Sequence, residues 1–424
     1  GFALPAIVTS ISALHAYYNF IPAVQQLTTI PLFGNLINLI IRLSFPMVGF
    51  SFLINLDIAF SLWFFNLVAA LMQGGMALLG IASEQKLGIY GAAPKPILAH
   101  QGQGALLVLV LFGLWLARGH LRQVWRKAVH GDRRVDDSHE IMSYRAAVFC
   151  LAGGYVTLAG WLTMSGLDLW AAIAMLTLAL LIFVGLTRVV AESGVAAAVS
   201  PLIAATALVS ATGSEVLGSS GLVGLAYAHV WSADIRTFVM ASCAHSLKLS
   251  EHMGRNVRPL FWVLLLAILL SLVSSICMIL YLAYEYGGIN LNSWFFGDGA
   301  RAPFSYIAEK LKTPTAPSLE GWVNSLLGGG LMALLMIARH RLPWWPLHPV
   351  GYPISMVWLM DQLWFSIFLA WLLKLLVIKY GGPGVYQRTR PFFLGLIAGQ
   401  YVAAGTWLVI DACTGMTDNL VFWI

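Results

Sequence analysis

The sequence predicts an all-α fold, a polytopic bundle of about nine to twelve transmembrane helices at roughly 20 apolar residues per span. Of its 424 residues, 59% are hydrophobic and only 10% are Asp, Glu, Lys or Arg, whereas a soluble domain has roughly 25% charged residues. So few charges cannot cover a water-soluble globule of this size, and they also exclude a disordered chain. The long apolar runs do not alternate with polar residues, which favours helices over a β-barrel.

Charge-free runs define the expected spans in chain order. The first 41 residues carry no charge but contain three prolines, so we expect one helix there and a bent entry to the next over residues 36–56. The chain begins at Gly1 without Met, which we interpret as a processed or internal start. The remaining runs are residues 58–83, 96–117, 146–167, 169–187, 193–214, 216–233, 259–284, 321–338 and 391–410.

The distribution of Lys and Arg predicts the orientation. The loop 118–145 is strongly basic, so the positive-inside rule places it in the cytoplasm. Counting spans from there places the loop 287–320 outside. The expected location is the inner membrane of a bacterium, with the lipid bilayer as the main partner. The basic residues at the start of the loop are Arg118, Arg122, Arg126, Lys127, Arg133 and Arg134.

Residues 342–360 form an unusual apolar run. It contains four prolines together with His348 and Gly351. A straight helix cannot accommodate four prolines, so we expect a broken or re-entrant segment that protein shields from lipid.

Two regions, residues 36–120 and 342–412, resemble each other. Each contains a Pro-Gly element, then an aspartate, then a Leu-Trp-Phe triplet, and later a Gly-x-Trp sequence. The topology runs the two copies in opposite directions, and inverted repeats with interrupted helices are typical of secondary transporters. A chance match in Gly- and Trp-rich sequence is the alternative. The matched pairs are Gly49 with Gly351, Asp57 with Asp361, Trp63 with Trp364 and Trp115 with Trp407.

If the copies are a true repeat, each should show a broken segment, a sharp turn at its aspartate and a long aromatic helix. The two broken segments should then face each other and form a substrate site. His348, Gly351 and Tyr352 would lie on one side of that site, with Gly49 and Phe50 on the other.

Ionisable groups within the apolar runs are the candidate functional residues, because charge in a membrane is costly. Arg188 and Glu192 lie four residues apart on one helical face. Glu192 could titrate in a substrate or proton site that Arg188 modulates, with Ser193 beginning a helix aimed at an anionic group. The alternative is an ion pair at the membrane edge.

Asp57, Asp361 and His348 are the other candidates. Either aspartate could be a helix N-cap at the interface or could line a polar cavity. His348 lies in the broken segment, where an imidazole could gate or relay protons, although packing is the simpler interpretation.

No catalytic signature is present. The chain has no Gly-x-Ser-x-Gly, His-Glu-x-x-His, phosphate-binding loop or dinucleotide fingerprint, so we expect no enzyme activity and no cofactor. The four cysteines lie far apart and predict no metal site. The basic residues reflect membrane topology rather than nucleic-acid binding.

Five segments carry a resemblance to a known group. The chain resembles bacterial multi-spanning membrane proteins of uncharacterised function that are distantly similar to the oligopeptide transporter family, although that family's Asn-Pro-Gly and Lys-Ile-Pro-Pro signatures are not in this chain. The resemblance implies transport of a peptide-like or metal-chelate solute. The segments are 61–65 (SLWFF), 114–121 (LWLARGHL), 188–194 (RVVAESG), 348–352 (HPVGY) and 390–396 (RPFFLGL).

Three functions remain open from the sequence. The first is a secondary transporter that moves a small-molecule substrate with an ion gradient. The second is a structural subunit that packs against a second copy or other membrane subunits. The third is a membrane-embedded enzyme acting on a lipid-linked substrate.

Overall fold

A computed structural model describes residues 1–417, except 23, 197, 230, 232–238 and 251–256, and also residue 419. The chain divides into two compact units. The first unit comprises Gly1–Glu84, Glu192–Pro201 and Gly330–Ile424, and the second comprises Gln85–Ala191 and Leu202–Gly329. The division falls within the first predicted repeat copy, residues 36–120.

Most of the described residues are helical, and helices α1 to α16 follow one another with one β-hairpin after α1. Short 3-10 and π-helical turns lie at Gly288–Asn290, Trp294–Asp298 and Val377–Gly381. The helices are α1 (Ala3–Tyr17), α2 (Phe45–Leu53), α3 (Leu56–Leu78), α4 (Pro96–Leu116), α5 (Arg118–His130), α6 (Tyr144–Met164), α7 (Leu169–Ser193), α8 (Ala204–Thr212), α9 (Ser214–His229), α10 (Met240–Ser250), α11 (Arg258–Tyr286), α12 (Gly299–Lys312), α13 (Leu319–Arg341), α14 (Gly351–Ile354), α15 (Trp358–Leu376) and α16 (Gly382–Thr414).

Seven helical stretches of the described chain are long and apolar enough to cross a membrane. They are α3, α4, α6, α7, α11, α13 and the continuous stretch Trp358–Thr414. The last has 57 residues and contains both α15 and α16, which is enough for two crossings at roughly 20 residues each. The prediction of an all-α, multi-pass membrane protein is confirmed.

The first unit is built around α2, which packs between α15 and α16. Its core cluster joins Phe45, Val48 and Phe52 of α2 to Ala370 of α15 and Phe393 of α16. The rings of Phe52 and Phe393 stack with their centroids 3.5 Å apart. Helix α1 packs along α16.

The expected bent entry over residues 36–56 is wrong in its first part, because residues 37–42 form a strand. Strand β1 (Leu27–Leu32) pairs antiparallel with β2 (Ile37–Arg42). The connection turns sharply through Phe33, Gly34 and Asn35, all with positive φ. The run of Thr and Ile in these strands is typical of β-structure, but with Arg42 at the end of β2 as its only charge it is hard to distinguish from a membrane helix.

The broken segment at residues 342–360 is confirmed. Helix α13 ends at Arg341, and the only regular helix before α15 is the single turn α14. The prolines prevent a continuous helix here, as expected.

The second unit contains a close pair of helices and a helical hairpin. At the crossing of α4 and α13, a Cβ at Gly104 would lie 1.9 Å from the Ser325 carbonyl oxygen, and one at Gly328 would lie 2.0 Å from that of Gln101. The glycines therefore allow backbone contact between the two helices. Helices α8 and α9 pack together around Gly213, which has φ +82°.

One expected span after α7 needs correction. The run 193–214 is not one span, because α7 ends at Ser193 and α8 begins only at Ala204; Pro201 lies between them. The end of the run 216–233 lies outside the described residues. The expected outer loop, residues 287–320, contains the helix α12.

Candidate functional site

Two interrupted helix pairs form the candidate site in the first unit. In the first pair, the short α2 ends at Leu53 and the long α3 begins at Leu56. In the second, the one-turn α14 ends at Ile354 and the long α15 begins at Trp358. Each pair therefore has a short helix, a break and a long aromatic helix, in the same order.

A serine of each long helix binds the beginning of the other pair's short segment. Ser61 Oγ of α3 accepts a hydrogen bond from the backbone N–H of His348 at 2.6 Å. Ser366 Oγ of α15 accepts one from the backbone N–H of Ser44 at 2.9 Å, and Ser44 is the N-cap of α2. The two serines therefore accept hydrogen bonds from backbone N–H groups that lie outside the intrahelical hydrogen-bond pattern.

The ends of the short helices are bound in the same crossed manner. Lys374 Nζ of α15 donates a hydrogen bond to the carbonyl oxygen of Ile54, the C-cap of α2, at 2.6 Å. Asn66 Nδ2 of α3 donates one to the carbonyl oxygen of Ser355, the C-cap of α14, at 2.9 Å. Each short helix is thus held at both ends by the long helix of the other pair.

Aromatic contacts show that α3 and α15 run antiparallel. The ring of Phe60 lies 5.4 Å from that of Trp371, and the ring of Trp63 lies 5.2 Å from that of Phe368. Residue numbers rise along one helix as they fall along the other. This is the direction that an inverted arrangement requires.

The two aspartates lie at the breaks. Asp57 is in the first turn of α3, whose N-cap is Asn55 rather than Asp57, and its Oδ2 lies 2.8 Å from Nη2 of Arg339. The side chains of Asp57 and Arg339 are 39% and 35% exposed, so this ion pair contributes little to stability. Asp361 Oδ1, in the first turns of α15, accepts a hydrogen bond from Asn66 Nδ2 at 2.9 Å.

Gly351 and Tyr352 pack against α3. A Cβ at Gly351 would lie 2.7 Å from Cβ of Ser61, and the ring of Tyr352 meets that of Phe65 edge-on at 5.2 Å. Gly49 instead lies against α16, where a Cβ would be 2.6 Å from the Phe393 carbonyl oxygen. Each glycine therefore faces a long helix, whereas the sequence led us to expect that the two Pro-Gly elements face each other.

Helix α7 ends at Ser193, so the expected helix start there is wrong, and the boundary between the two units falls beside it. Arg188 lies in the second unit, where its Nη1 donates a hydrogen bond to the Leu109 carbonyl oxygen at 2.9 Å. Glu192 and Ser193 lie in the first unit. Glu192 is exposed, and the buried Ser193 Oγ accepts a hydrogen bond from Val195 N–H at 3.2 Å.

The second unit has its own buried polar cluster, which the sequence did not indicate. His100 Nε2 of α4 lies 2.9 Å from Gln85 Oε1 and 3.2 Å from Ser210 Oγ of α8. Gln85 Nε2 also donates to Ser318 Oγ, just before α13. His100 lies in a charge-free run, so no charge pattern marked it.

The main residues missed by sequence reasoning are Ser61, Asn66, Ser366 and Lys374, which form the crossed contacts. Lys374 could have been found, because it is a lysine inside an apolar run. The serines and Asn66 carry no such signal. Among the described residues, no group of three or more His, Cys, Asp or Glu side chains could hold a metal ion.

Removing either capping serine should destabilise the protein by about 1–3 kcal/mol, because each loss leaves a backbone N–H without its partner. We expect a lower melting temperature for Ser61→Ala and Ser366→Ala in detergent. The larger loss should occur in Ser366→Ala, whose hydrogen bond is the more buried of the two. Thr406→Ala is the control, because its exposed hydroxyl bonds only within its own helix. Equal melting temperatures in all three variants would contradict the capping role.

Comparison with known proteins gives a family but no activity. No curated protein and no solved structure matches the chain. A family model described as a family of unknown function (DUF6785) matches residues 1–423. The chain therefore belongs to the DUF6785 family.

Proposed function

We propose that this protein is a secondary transporter of the bacterial inner membrane that moves a small solute with an ion gradient. The observation that carries the proposal is the crossed capping of two interrupted helices. A break in a membrane helix exposes backbone polar groups, each of which costs several kcal/mol in lipid if left unsatisfied. Two such breaks, with their ends bound reciprocally by antiparallel helices, are typical of a transporter centre.

We place the coupling ion at Asp361. Asn66 Nδ2 lies 2.9 Å from both Asp361 Oδ1 and the Ser355 carbonyl oxygen at the end of α14. A carboxylate beside the negative end of a helix favours a bound cation. At the equivalent end of α2, the ammonium group of Lys374 already supplies a positive charge. The carboxylate of Asp361 beside the C-cap of α14 therefore supports a proton or sodium ion at that end.

The Asp57–Arg339 ion pair supports movement near the first break. It joins the end of α13 to the start of α3 and is more than one third exposed on both sides. Opening such a pair costs about 0–1 kcal/mol. Asp57 and Arg339 can therefore separate and re-form during a transport cycle at little energetic cost.

The solute class rests on the resemblance to the oligopeptide transporter family. It supports a peptide-like or metal-chelate solute, which would contact the partly exposed segment around His348. The backbone of this segment is irregular. Irregular backbone can offer N–H and C=O groups to a polar solute.

Uptake into proteoliposomes tests the transport proposal. The purified protein would be reconstituted, and radiolabelled trialanine and an iron(III)–citrate complex would be offered with and without proton and sodium gradients. We expect uptake of one probe above that of empty liposomes and acceleration by one of the gradients. Uptake of both probes at the rate of empty liposomes under every gradient would count against transport of these solute classes.

A structural subunit is the second candidate, and α11 supports it. This helix has 29 residues and none of them is buried. Lipid alone can cover such a surface, but so can another chain. Native electrophoresis of membranes solubilised in mild detergent would distinguish the two, because a subunit should migrate in a complex much larger than its own 46.2 kDa.

A further inference from the structure

The basic helix α5 has two exposed stripes of different chemistry in the second unit. Leu121, Trp125 and Val129 recur every four residues and are 44%, 57% and 45% exposed. A second series at the same spacing is also exposed, and it consists of Arg118, Arg122 and Arg126. At 3.6 residues per turn, the two series lie side by side along the helix. An apolar stripe beside a basic stripe is typical of a helix that lies in a membrane interface.

The position of α5 places it at the level of the lipid headgroups. The candidate span α4 ends at Leu116, and Ala117 is the single residue between it and Arg118. The next candidate span, α6, begins at Tyr144 and packs against α5. A helix joined to two spans in this way cannot lie far from the bilayer surface.

The nearby acidic groups are engaged elsewhere. Asp132 and Asp136 accept hydrogen bonds from backbone N–H groups of their own turns. Asp137 lies 3.8 Å from Lys127, and Glu140 accepts a hydrogen bond from Tyr144. Among the residues that the structure describes, no carboxylate is within ion-pair distance of the arginines in the basic stripe.

We propose that α5 is a binding site for anionic phospholipid headgroups of the bilayer that the protein spans. The arginines at positions 118, 122 and 126 contact the phosphates, and the stripe 121, 125 and 129 inserts between the acyl chains. Arg118 also lies 4.3 Å above the ring of Trp115 and donates to the Trp115 carbonyl oxygen. This contact fixes the first arginine at the end of the span. A basic stripe beside an apolar stripe matches a partner that is anionic at its surface and apolar beneath it, as a bilayer with anionic phospholipids is.

Lipid binding by the full-length protein in a nonionic detergent tests this proposal. The probe is fluorescent phosphatidylglycerol, displaced by unlabelled phosphatidylglycerol or phosphatidylcholine. For Arg122→Gln/Arg126→Gln, we expect affinity to fall by roughly 30-fold, about fivefold for each charge near the surface. Arg133→Gln/Arg134→Gln removes the same charge from the same loop but outside the helix. It should change affinity by less than about threefold.

Two further measurements keep the test decisive if a variant folds poorly. The wild-type protein should prefer phosphatidylglycerol to phosphatidylcholine and should lose that preference at high salt. Trp125→Gln should weaken binding without changing the charge. Equal displacement by both lipids in the wild type, or equal effects of the two arginine pairs, would overturn the proposal.

Discussion

Asp361→Asn should abolish gradient-driven accumulation while leaving the protein folded. An asparagine oxygen can still accept the hydrogen bond from Asn66, so the helix ends stay bound, but an amide cannot take up a proton or carry the charge that attracts a cation. A potential of 100 mV acting on one coupled charge supports accumulation of roughly 50-fold. In the variant this ratio should fall to about one, with little change in melting temperature.

Two acidic substitutions in the same unit serve as comparisons for Asp361→Asn. Asp411 lies near the end of α16, where it accepts hydrogen bonds from Tyr17 and Asn419. Asp411→Asn should keep gradient-driven uptake. Glu192→Gln tests the other ionisable candidate. If Glu192→Gln loses gradient dependence while Asp361→Asn retains it, ion coupling occurs at the end of α7 and our assignment is wrong.

Gly328→Ala should destabilise the second unit severely. The new methyl group would lie 2.0 Å from the backbone oxygen of Gln101, and a backbone atom cannot move aside as a side chain can. The two helices must separate, which also strains the Gln101–Asn324 hydrogen bond of 3.1 Å. We expect a loss at or above the upper end of the roughly 1–3 kcal/mol typical of overpacking. Thermal unfolding in detergent would measure it.

Gly330→Ala is the matched control for Gly328→Ala, because it lies two residues along the same helix. An added methyl there meets nothing within 4 Å. Alanine also favours the helix over glycine by about 1 kcal/mol. The two substitutions should therefore shift the melting temperature in opposite directions. A similar shift for both would show that α4 and α13 are not in contact at Gly328.

The sequence predicted the fold class and the broken segment well. Both follow from strong local signals, namely the length of the charge-free runs and four prolines within 19 residues. It also brought Asp57, Asp361, His348, Gly351 and Tyr352 into one hypothesis, and the structure places them all in the first unit. The repeat pattern made this grouping possible, because it paired segments that lie some 300 residues apart in the sequence.

The partners of these residues could not be predicted. Ser61 and Asn66 lie in a charge-free run, where a hydroxyl or amide has no distinctive spacing and matters only through a helix far away in sequence. The β-hairpin was missed for a related reason. The only charge in its strands is Arg42 at the end of β2, and with a proline among Thr and Ile the strands do not show the strict alternation that identifies a half-buried strand. Packing between distant segments decided both cases.

The crossed capping has a consequence for how the protein is made. The carbonyl group of Ile54 and the N–H of Ser44 receive their partners from residues 320 and 322 positions later in the chain. At about 5–20 residues per second, a ribosome needs roughly 15–65 s to reach them. During that interval the first interrupted helix pair is inserted with its break uncapped, so water or an insertase must shelter it. The N-terminal half therefore depends on one of these two until the C-terminal half emerges.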